Sequence, residues 1–270
     1  MSSEPTTIAH LSDLHFGRVD GSLAEALLTD LAALAPTLVV VSGDLTQRAR
    51  RTQFRDARRF LDRLPAPYLV VPGNHDIPLY DVVRRAFKPL DRYRETITGD
   101  LAPTYLDDAL AVLGLNTARP SVWKEGRISK AQLALIRWLG SVDGARLRVL
   151  VTHHPFIPPP GRETPLVRRG AEALRIAAEC GVDVCLGGHL HVGYTGDGRA
   201  YHPGLGRSIV VVQAGTAISN RRRGEPNGYN FLRVTRDQLE VEVRIAAGGR
   251  YAPLRSSRFA RTATGWEAAA

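Results

Sequence analysis

Polar side chains that can bind metal ions follow several short apolar runs in this 270-residue chain. The stretches concerned are His10–Gly17, Ser42–Leu45, Pro72–Asp76 and Gly187–His191. Carboxylate, amide and imidazole groups that converge from separate strand ends are the ligands that a divalent-metal site needs. The sequence therefore predicts a metal site at one edge of a sheet, as a metal-dependent hydrolase requires.

The spacing inside these stretches would let several side chains reach one ion. Asp13 and His15 are two positions apart, so both would point the same way on an extended strand. Gly43 permits a sharp turn before Asp44, and the two carboxylate oxygens of Asp44 can bridge two ions.

The remaining ligands complete a donor set without thiolates. His189 and His191 are again two positions apart, and the preceding glycines would let each imidazole turn towards a different ion. His153 follows another predicted strand, and Asn74 offers a neutral amide oxygen. Two carboxylates, one amide and four imidazoles favour Mn, Fe, Zn or Co over a closed structural zinc site.

Five blocks of the chain, in their order and spacing over residues 8–216, resemble those of the calcineurin-like metallophosphoesterases. The blocks are Asp13-x-His15, Gly43-Asp44, Gly73-Asn74-His75-Asp76, His153-His154-Pro155 and Gly188-His189-x-His191. The resemblance implies an α/β fold, a four-layer α/β/β/α sandwich with two mixed sheets. It also implies a centre of two metal ions.

The resemblance further implies a role for each residue of the centre. The side chains that would bind the first ion are Asp13, His15 and His191. Those that would bind the second ion are Asn74, His153 and His189. Asp44 would bridge the ions, and a hydroxide between them would attack the phosphorus atom. His75 would stabilise the transition state or protonate the leaving group, and Asp76 would orient His75 or its loop.

Within this superfamily, the chain is most similar to bacterial cyclic-nucleotide and glycerophosphodiester phosphodiesterases. The similarity covers the length and the blocks Ser12–His15, Pro72–Asp76 and Asn227–Asn230. The first hypothesis is therefore a metal-dependent phosphodiesterase acting on small substrates of these kinds. A nuclease acting on DNA or RNA, a phosphomonoesterase and a pyrophosphatase are the alternatives. A non-catalytic scaffold is disfavoured because all seven ligand positions are filled.

Alternating strands and helices must position these residues. The apolar runs 6–11, 38–41 and 68–71 predict buried strands, and helical spacing over 23–34 and 53–64 predicts the helices between them. This order is typical of a doubly wound sheet, whose sites lie at the carboxyl ends of the strands.

The second half of the chain predicts a second sheet within a single domain covering residues 1–270. Its predicted strands are 110–115, 147–152 and 182–186, and its predicted helices are 129–139 and 166–180. Three further runs, 209–213, 229–234 and 239–245, predict antiparallel strands that finish this second sheet. Residues 77–103 predict a cap or loop over the site, and residues 248–270 an irregular tail.

The charge leaves the choice of anionic partners open. The net charge is +9, and 33 of the 36 basic residues are Arg. Because these residues are spread through many segments, the composition of a GC-rich genome is favoured over attraction to phosphates, nucleic acid or lipid headgroups. Arg221-Arg222-Arg223 is equally compatible with a solvated loop and an anion-binding rim. His10 and His154 are interpreted as structural.

Cysteine spacing and the N-terminal segment bear on the cellular compartment of the protein. Cys180 and Cys185 lack C-x-x-C spacing and predict reduced thiols. The polar N-terminal segment does not resemble a signal peptide, and no run of about 18 apolar residues occurs. A cytoplasmic protein without a transmembrane segment is expected. The sequence leaves a homo-oligomer open.

Overall fold

The computed structural model describes residues 5–122, 124–142 and 146–269. Two mixed sheets pack face to face in this part of the chain, and helices cover the outer face of each sheet. The four layers confirm the predicted α/β/β/α sandwich. None of the helices described is long and apolar enough to cross a bilayer.

The first sheet combines a parallel half with an antiparallel half. Its strands are β1 (Thr6–Leu11), β2 (Leu38–Val41), β3 (Tyr68–Val70), β10 (Gly228–Val234), β11 (Gln238–Ala247), β12 (Arg250–Thr262) and β13 (Gly265–Ala268). Their order is β13-β12-β11-β10-β1-β2-β3. β1, β2 and β3 run parallel, and β10 joins them by pairing antiparallel with β1.

The second sheet is parallel at its centre. Its strands are β4 (Thr104–Leu106), β5 (Leu110–Gly114), β6 (Leu147–Val151), β7 (Val184–Gly187), β8 (Tyr194–Asp197) and β9 (Val210–Gln213). Their order is β4-β5-β6-β7-β9-β8, and only the edge strands β4 and β8 pair antiparallel with their neighbours.

Helices cover both sheets from the outside. The helices of the described residues are α1 (Gly21–Leu34), α2 (Arg51–Leu61), α3 (Val82–Phe87), α4 (Asp91–Thr96), α5 (Lys130–Ser141), α6 (Gly170–Glu179) and α7 (Gly198–Tyr201). α1, α2 and α4 pack on the first sheet, whereas α5 and α6 pack on the second. Ser129 caps α5, as predicted, because its side chain accepts a hydrogen bond from the Gln132 amide.

The uninterrupted β-branched run of β2 reflects burial on both faces. Val39 and Val41 belong to the core under the helices, whereas Leu38 and Val40 belong to the core between the two sheets. This central position fixes the carboxyl end of β2, and with it the loop that carries Asp44.

The predicted sheet assignment is wrong for two late strands, and a third lies in the predicted second sheet but pairs in parallel with one of its neighbours. β10 and β11 extend the first sheet, and β9 runs parallel to β7 in the second sheet. The pairing of Thr6 with Val234 joins two strands that are far apart in the chain. A strand pattern indicates which face is buried but not which distant strand supplies the partner.

The predicted irregular tail over 248–270 is also wrong, because β12 and β13 occupy most of it. In β12, Tyr251 and Phe259 are buried, but most other side chains are exposed, so the apolar alternation of a strand is missing. Trp266 of β13 anchors the end of the chain, since its indole Nε1 donates to Asp183 Oδ1 at 3.0 Å.

The segment 77–103, predicted as a cap or loop, has two different parts. Leu90, Tyr93 and Ile97 are buried in the core under the first helical layer, and the Tyr93 hydroxyl donates to the Val70 carbonyl at 3.2 Å. Only the earlier part, with Leu79, reaches the cavity described below.

Candidate metal centre

The loops after β1, β2, β3, β6 and β7 meet at one edge of the sandwich, where the structure brings all seven predicted ligands together. Backbone hydrogen bonds hold these loops beyond the strand ends. The Asp13 amide donates to the Gly43 carbonyl at 3.1 Å, and the His15 amide to the Asp44 carbonyl at 2.9 Å. The loops therefore keep the register of the parallel strands.

A left-handed backbone, rather than strand alternation, directs most of these side chains. Five of the seven predicted ligands have φ between 49° and 75°: Asp13, His15, Asp44, His189 and His191. β1 ends at Leu11, so the prediction that an extended strand aligns Asp13 with His15 is wrong. Non-glycine residues adopt this conformation rarely, and clusters of it occur at functional sites.

The first group of ligand atoms is buried and compact. Asp13, His15, Asp44 and His191 each place one ligand atom within 4.8 Å of all the others. His191 Nε2 lies 3.1 Å from Asp13 Oδ1, and His15 Nε2 lies 3.5 Å from the same oxygen. This group could hold one metal ion.

The second group lies around the amide of Asn74. Its Oδ1 lies 3.2 Å from His153 Nε2 and 3.0 Å from His189 Nδ1. His154 also places a ring nitrogen within 4.8 Å of those of His153 and His189. This second group could hold another ion.

Asp44 stands between the two groups. Its Oδ2 lies 3.7 Å from His15 Nε2, whereas its Oδ1 lies 3.4 Å from His153 Nε2. One buried carboxylate thus presents a different oxygen to each group, which is the arrangement that a bridging ligand requires.

Backbone carbonyls fix the orientation of two of the histidine rings. His153 Nδ1 donates to the Ser42 carbonyl at 2.8 Å, and His191 Nδ1 donates to the Arg221 carbonyl at 2.6 Å. Because a carbonyl oxygen only accepts, each ring donates through Nδ1 and turns Nε2 towards the centre, where Nε2 could bind a metal ion.

Hydrogen bonds also set the orientation of Asp13. Its Oδ2 accepts from the Ser12 hydroxyl at 2.7 Å and from the His189 amide at 2.8 Å. Its Oδ1 is buried and receives no hydrogen bond from the described residues. The carboxylate therefore offers one unpaired oxygen to the first group.

Burial and charge oppose each other at the centre. Burial disfavours ionised Asp13, but the charge of nearby His191 holds the pKa of Asp13 well below its usual value. Burial likewise disfavours charged His153, yet the charge of Asp44 and its hydrogen bond raise the His153 pKa to about 9. The buried carboxylates therefore draw positive charge into the centre. Burial, followed by the charge of His153, lowers the His189 pKa to about 3.

The two residues predicted to assist catalysis occupy different environments. His75 is half-buried in the cavity wall, with its ring centroid 4.9 Å from that of His15. Asp76 is fully buried, and its carboxylate accepts hydrogen bonds from the Leu45, Thr46 and Gly73 amides at 2.9–3.1 Å. Asp76 therefore joins two ligand-bearing loops and does not line the cavity described below.

A cavity of about 610 Å³ opens beside both ligand groups. Among the described residues that line it, the basic ones are Arg48, Arg85, Lys124, Arg221 and Arg223, and the acidic one is Asp44. Ile77, Leu79 and Arg85 come from the segment 77–103, and Thr164 and Pro165 come from the irregular stretch between β6 and α6. Arg48 and Lys124 lacked a motif that would have placed them at the site, whereas Arg221 and Arg223 belong to the loop for which the sequence left an anion-binding rim as one of two interpretations.

Two other histidines support the centre. His10 is buried with Nε2 2.9 Å from Ser42 Oγ, and burial lowers its pKa to about 3. His154 Nδ1 lies 2.7 Å from Thr117 Oγ1. Ser12, Ser42 and Thr117 were missed by the sequence interpretation because single hydroxyl residues carry no spacing signal.

Three relatives share part or most of the chain. A Bacillus subtilis protein named uncharacterized protein YpbG is 26% identical over 220 residues, which is 80% of this chain and 73% of that protein. A probable cyclic nucleotide phosphodiesterase of Synechococcus is 25% identical and spans 86% of this chain and 88% of its own length. The glycerophosphodiester phosphodiesterase GpdQ of Enterobacter lignolyticus is 38% identical over 80 residues, or 26% of this chain and 29% of its own.

Solved structures share the fold at low sequence identity. The purple acid phosphatase PPD1 of yellow lupin superposes with a TM-score of 0.69 over 95% of this chain at 14% identity. This chain spans only 54% of the length of that phosphatase. PhoD superposes with a TM-score of 0.73 over the whole chain, covering 72% of PhoD at 12% identity.

The match to a family description covers most of the chain and all five blocks that carry the predicted ligands. The description is "Calcineurin-like phosphoesterase", and it matches residues 6–193. Together with the two-sheet sandwich and the clustered ligands, this match confirms the resemblance inferred from the five blocks. The chain belongs to the calcineurin-like phosphoesterase family.

Proposed function

We propose that this protein is a phosphodiesterase that hydrolyses small phosphodiesters, such as cyclic nucleotides or glycerophosphodiesters, at a centre of two metal ions. The observation that carries the proposal is the position of Asp44, whose two oxygens face His15 in one group and His153 in the other. The relatives named as phosphodiesterases support the same type of substrate.

The residues present fit such a pair of ions. The unpaired, buried Oδ1 of Asp13 is an oxygen that a cation would satisfy. The histidines whose Nδ1 is held by a carbonyl turn Nε2 towards the centre, and Asn74 adds an amide oxygen. Imidazole, carboxylate and amide donors without thiolate suit Mn, Fe, Zn or Co. When bound, two such ions neutralise charge on a phosphoryl group and acidify water.

The chain itself contributes binding and orientation. Two carboxylates against two dications leave the centre positive by formal counting, so an anionic phosphodiester is attracted to it. Cationic side chains such as Arg48, Lys124 and Arg223 line the same cavity and extend this attraction. The hydrogen bonds of Ser12 and Ser42 hold the ligands in place before the substrate arrives.

Two features favour a small substrate over a nucleic acid. A cavity of about 610 Å³ is the size of a small-molecule site. Three of the four arginines of α2 pair with nearby acids: Arg51 with Glu95, Arg58 with Asp62 and Arg59 with Asp56. These exposed pairs reduce the positive field that a nucleic-acid backbone would need.

The test is a substrate screen on the metal-free protein reloaded with Mn²⁺, Zn²⁺, Co²⁺ or Fe²⁺. The substrates are bis(p-nitrophenyl) phosphate, glycerophosphodiesters, 2′,3′- and 3′,5′-cyclic nucleotides, phosphomonoesters and single-stranded DNA. We expect metal-dependent hydrolysis of a small diester that changes little with salt and is lost in Asp44→Asn. Faster cleavage of monoesters would instead indicate a phosphomonoesterase. Cleavage of DNA that falls steeply with salt would indicate a nuclease.

A further inference from the structure

Arg221 lies in the cavity wall between two histidines of the centre. Its carbonyl accepts the hydrogen bond from His191 Nδ1, and its guanidinium NH1 lies 3.0 Å from His75 Nε2. The side chain is half-buried, unlike those of Arg222 and Arg223, which are exposed. The backbone of Arg221 therefore supports a ligand, while its side chain faces the cavity.

The hydrogen bonds of His75 determine which of its nitrogens carries the proton. Nδ1 lies 3.0 Å from the Gln47 carbonyl, which only accepts, so Nδ1 is the donor. A guanidinium only donates, so Nε2 accepts from Arg221. In this arrangement the Nε2 atom of His75 has no proton to give to a leaving group.

The guanidinium of Arg221 keeps donors for another partner. It has five N–H groups in a planar fork, and the described residues contribute one acceptor, His75 Nε2, and no ion-pair partner. A fork of this shape matches two oxygens of a phosphoryl group. The fork lies in the same wall as Asp44, His189 and His191, where the phosphoryl group of the proposed substrate would bind.

We propose that Arg221 is a catalytic residue that donates hydrogen bonds to the phosphoryl oxygens and stabilises their charge in the transition state. His75 is then the positioning residue that holds the guanidinium. This inference rests on the proposed phosphodiesterase function and deepens it. The family resemblance left two roles open for His75, namely stabilising the transition state and protonating the leaving group. The proposal selects the first role, which His75 performs through Arg221.

The test compares Arg221→Ala, His75→Ala and the double variant on aryl phosphodiesters whose leaving groups range from p-nitrophenol to phenol. Arg222→Ala is the matched control, since Arg222 is exposed, adjacent in sequence and absent from the cavity wall. Removing one preorganised donor is expected to lower kcat/KM about 10²-fold. The same factor is expected for every leaving group, and the double variant should be no worse than Arg221→Ala.

Two readouts separate charge stabilisation from a merely structural role. Added guanidinium should restore part of the activity of Arg221→Ala, whereas Arg222→Ala should not respond. Inorganic phosphate, titrated calorimetrically into the metal-loaded protein, should bind about 10-fold more weakly to Arg221→Ala. The metal content of each variant, measured on the same samples, should equal that of the wild type.

The outcomes distinguish the two claims. A metal-loaded wild type that hydrolyses none of the diesters overturns the proposed function and this inference with it. An active wild type with equal activity in Arg221→Ala and Arg222→Ala overturns the inference alone. A loss in His75→Ala that grows as the leaving group becomes more basic would also overturn it, because His75 would then be the proton donor.

Discussion

His15 Nε2 and His191 Nε2 lie 3.0 Å apart, although 176 positions separate the two residues in the chain. Nδ1 of His191 donates to a carbonyl, so Nε2 is the ring atom that could bind a metal ion. Both rings also lie beside Asp13 Oδ1, at 3.1–3.5 Å. Several acceptors directed at one point form a stable arrangement when a cation occupies that point.

The hydroxyl of Ser12 should control metal affinity without binding the metal. It donates to Asp13 Oδ2, which leaves Oδ1 as the ligand oxygen. We expect Ser12→Ala to weaken metal binding about 10- to 100-fold, as loss of a hydrogen bond to a ligand typically does. Calorimetric titration of Mn²⁺ into the metal-free protein measures the change.

Ser208→Ala is the matched control for Ser12→Ala. Ser208 is also fully buried, and its hydroxyl donates to Asp197 Oδ1 at 2.9 Å, away from the ligand groups. Equal loss of metal affinity in the two variants would mean that the effect comes from general destabilisation and not from the orientation of Asp13.

Gly188 should tolerate no side chain. A Cβ atom at this position would overlap the Ser12 hydroxyl and lie 2.6 Å from Asp13 Oδ2. Gly188→Ala is therefore expected to abolish metal-dependent hydrolysis while the circular dichroism spectrum stays native. Gly204→Ala, where the added methyl group meets no atom within 4 Å, should retain wild-type activity. An active Gly188→Ala protein would show that this close packing is not needed.

Asp76 should contribute mainly to stability. Its carboxylate is buried and accepts hydrogen bonds from three backbone amides, so Asp76→Ala would leave these donors unsatisfied. We expect the free energy of unfolding to fall by about 3 kcal/mol in urea titrations. Asp56→Ala removes an exposed carboxylate that pairs with Arg59, and it should cost less than about 1 kcal/mol. Equal costs would contradict the structural role of Asp76.

Removing metal ions from the seven predicted ligands should lower the thermal stability of the protein. A ligand present at about 100 times its Kd stabilises the folded state by about 2.7 kcal/mol. For a chain of this size, that corresponds to a Tm roughly 5–10 °C higher with Mn²⁺ than with a chelator. Asp44→Asn should show almost no difference between the two conditions. A Tm difference of the same size in Asp44→Asn would mean that the stabilising ions bind at another site.

Much of the site could be predicted from the sequence because its residues follow locally recognisable strands. The β-branched run of β2 predicts a doubly covered strand, and the polar residue after it predicts a ligand at the carboxyl end. The same logic applies to Asp13 after β1 and to His153 after β6. The ordered blocks add specificity that no single strand provides.

The features that the sequence interpretation missed depend on distant partners. β10 joins the first sheet because it pairs with β1, and nothing local to Gly228–Val234 specifies that partner. β12 escaped prediction because its mostly exposed, polar side chains lack the alternation of a half-buried strand. The contact of Arg221 with His75 spans 146 positions. The sequence alone therefore did not decide whether the loop of Arg221 is solvated or forms an anion-binding rim.

The most direct test of the two-ion centre is to count bound Mn²⁺ per chain by native mass spectrometry while following diester hydrolysis on the same samples. The wild type should bind two ions and be active. Asp13→Ala and His153→Ala should each retain one ion, Asp44→Asn should bind neither tightly, and all three should be inactive. A wild type that is active with a single ion, or an Asp44→Asn variant that keeps two ions and full activity, would contradict the account.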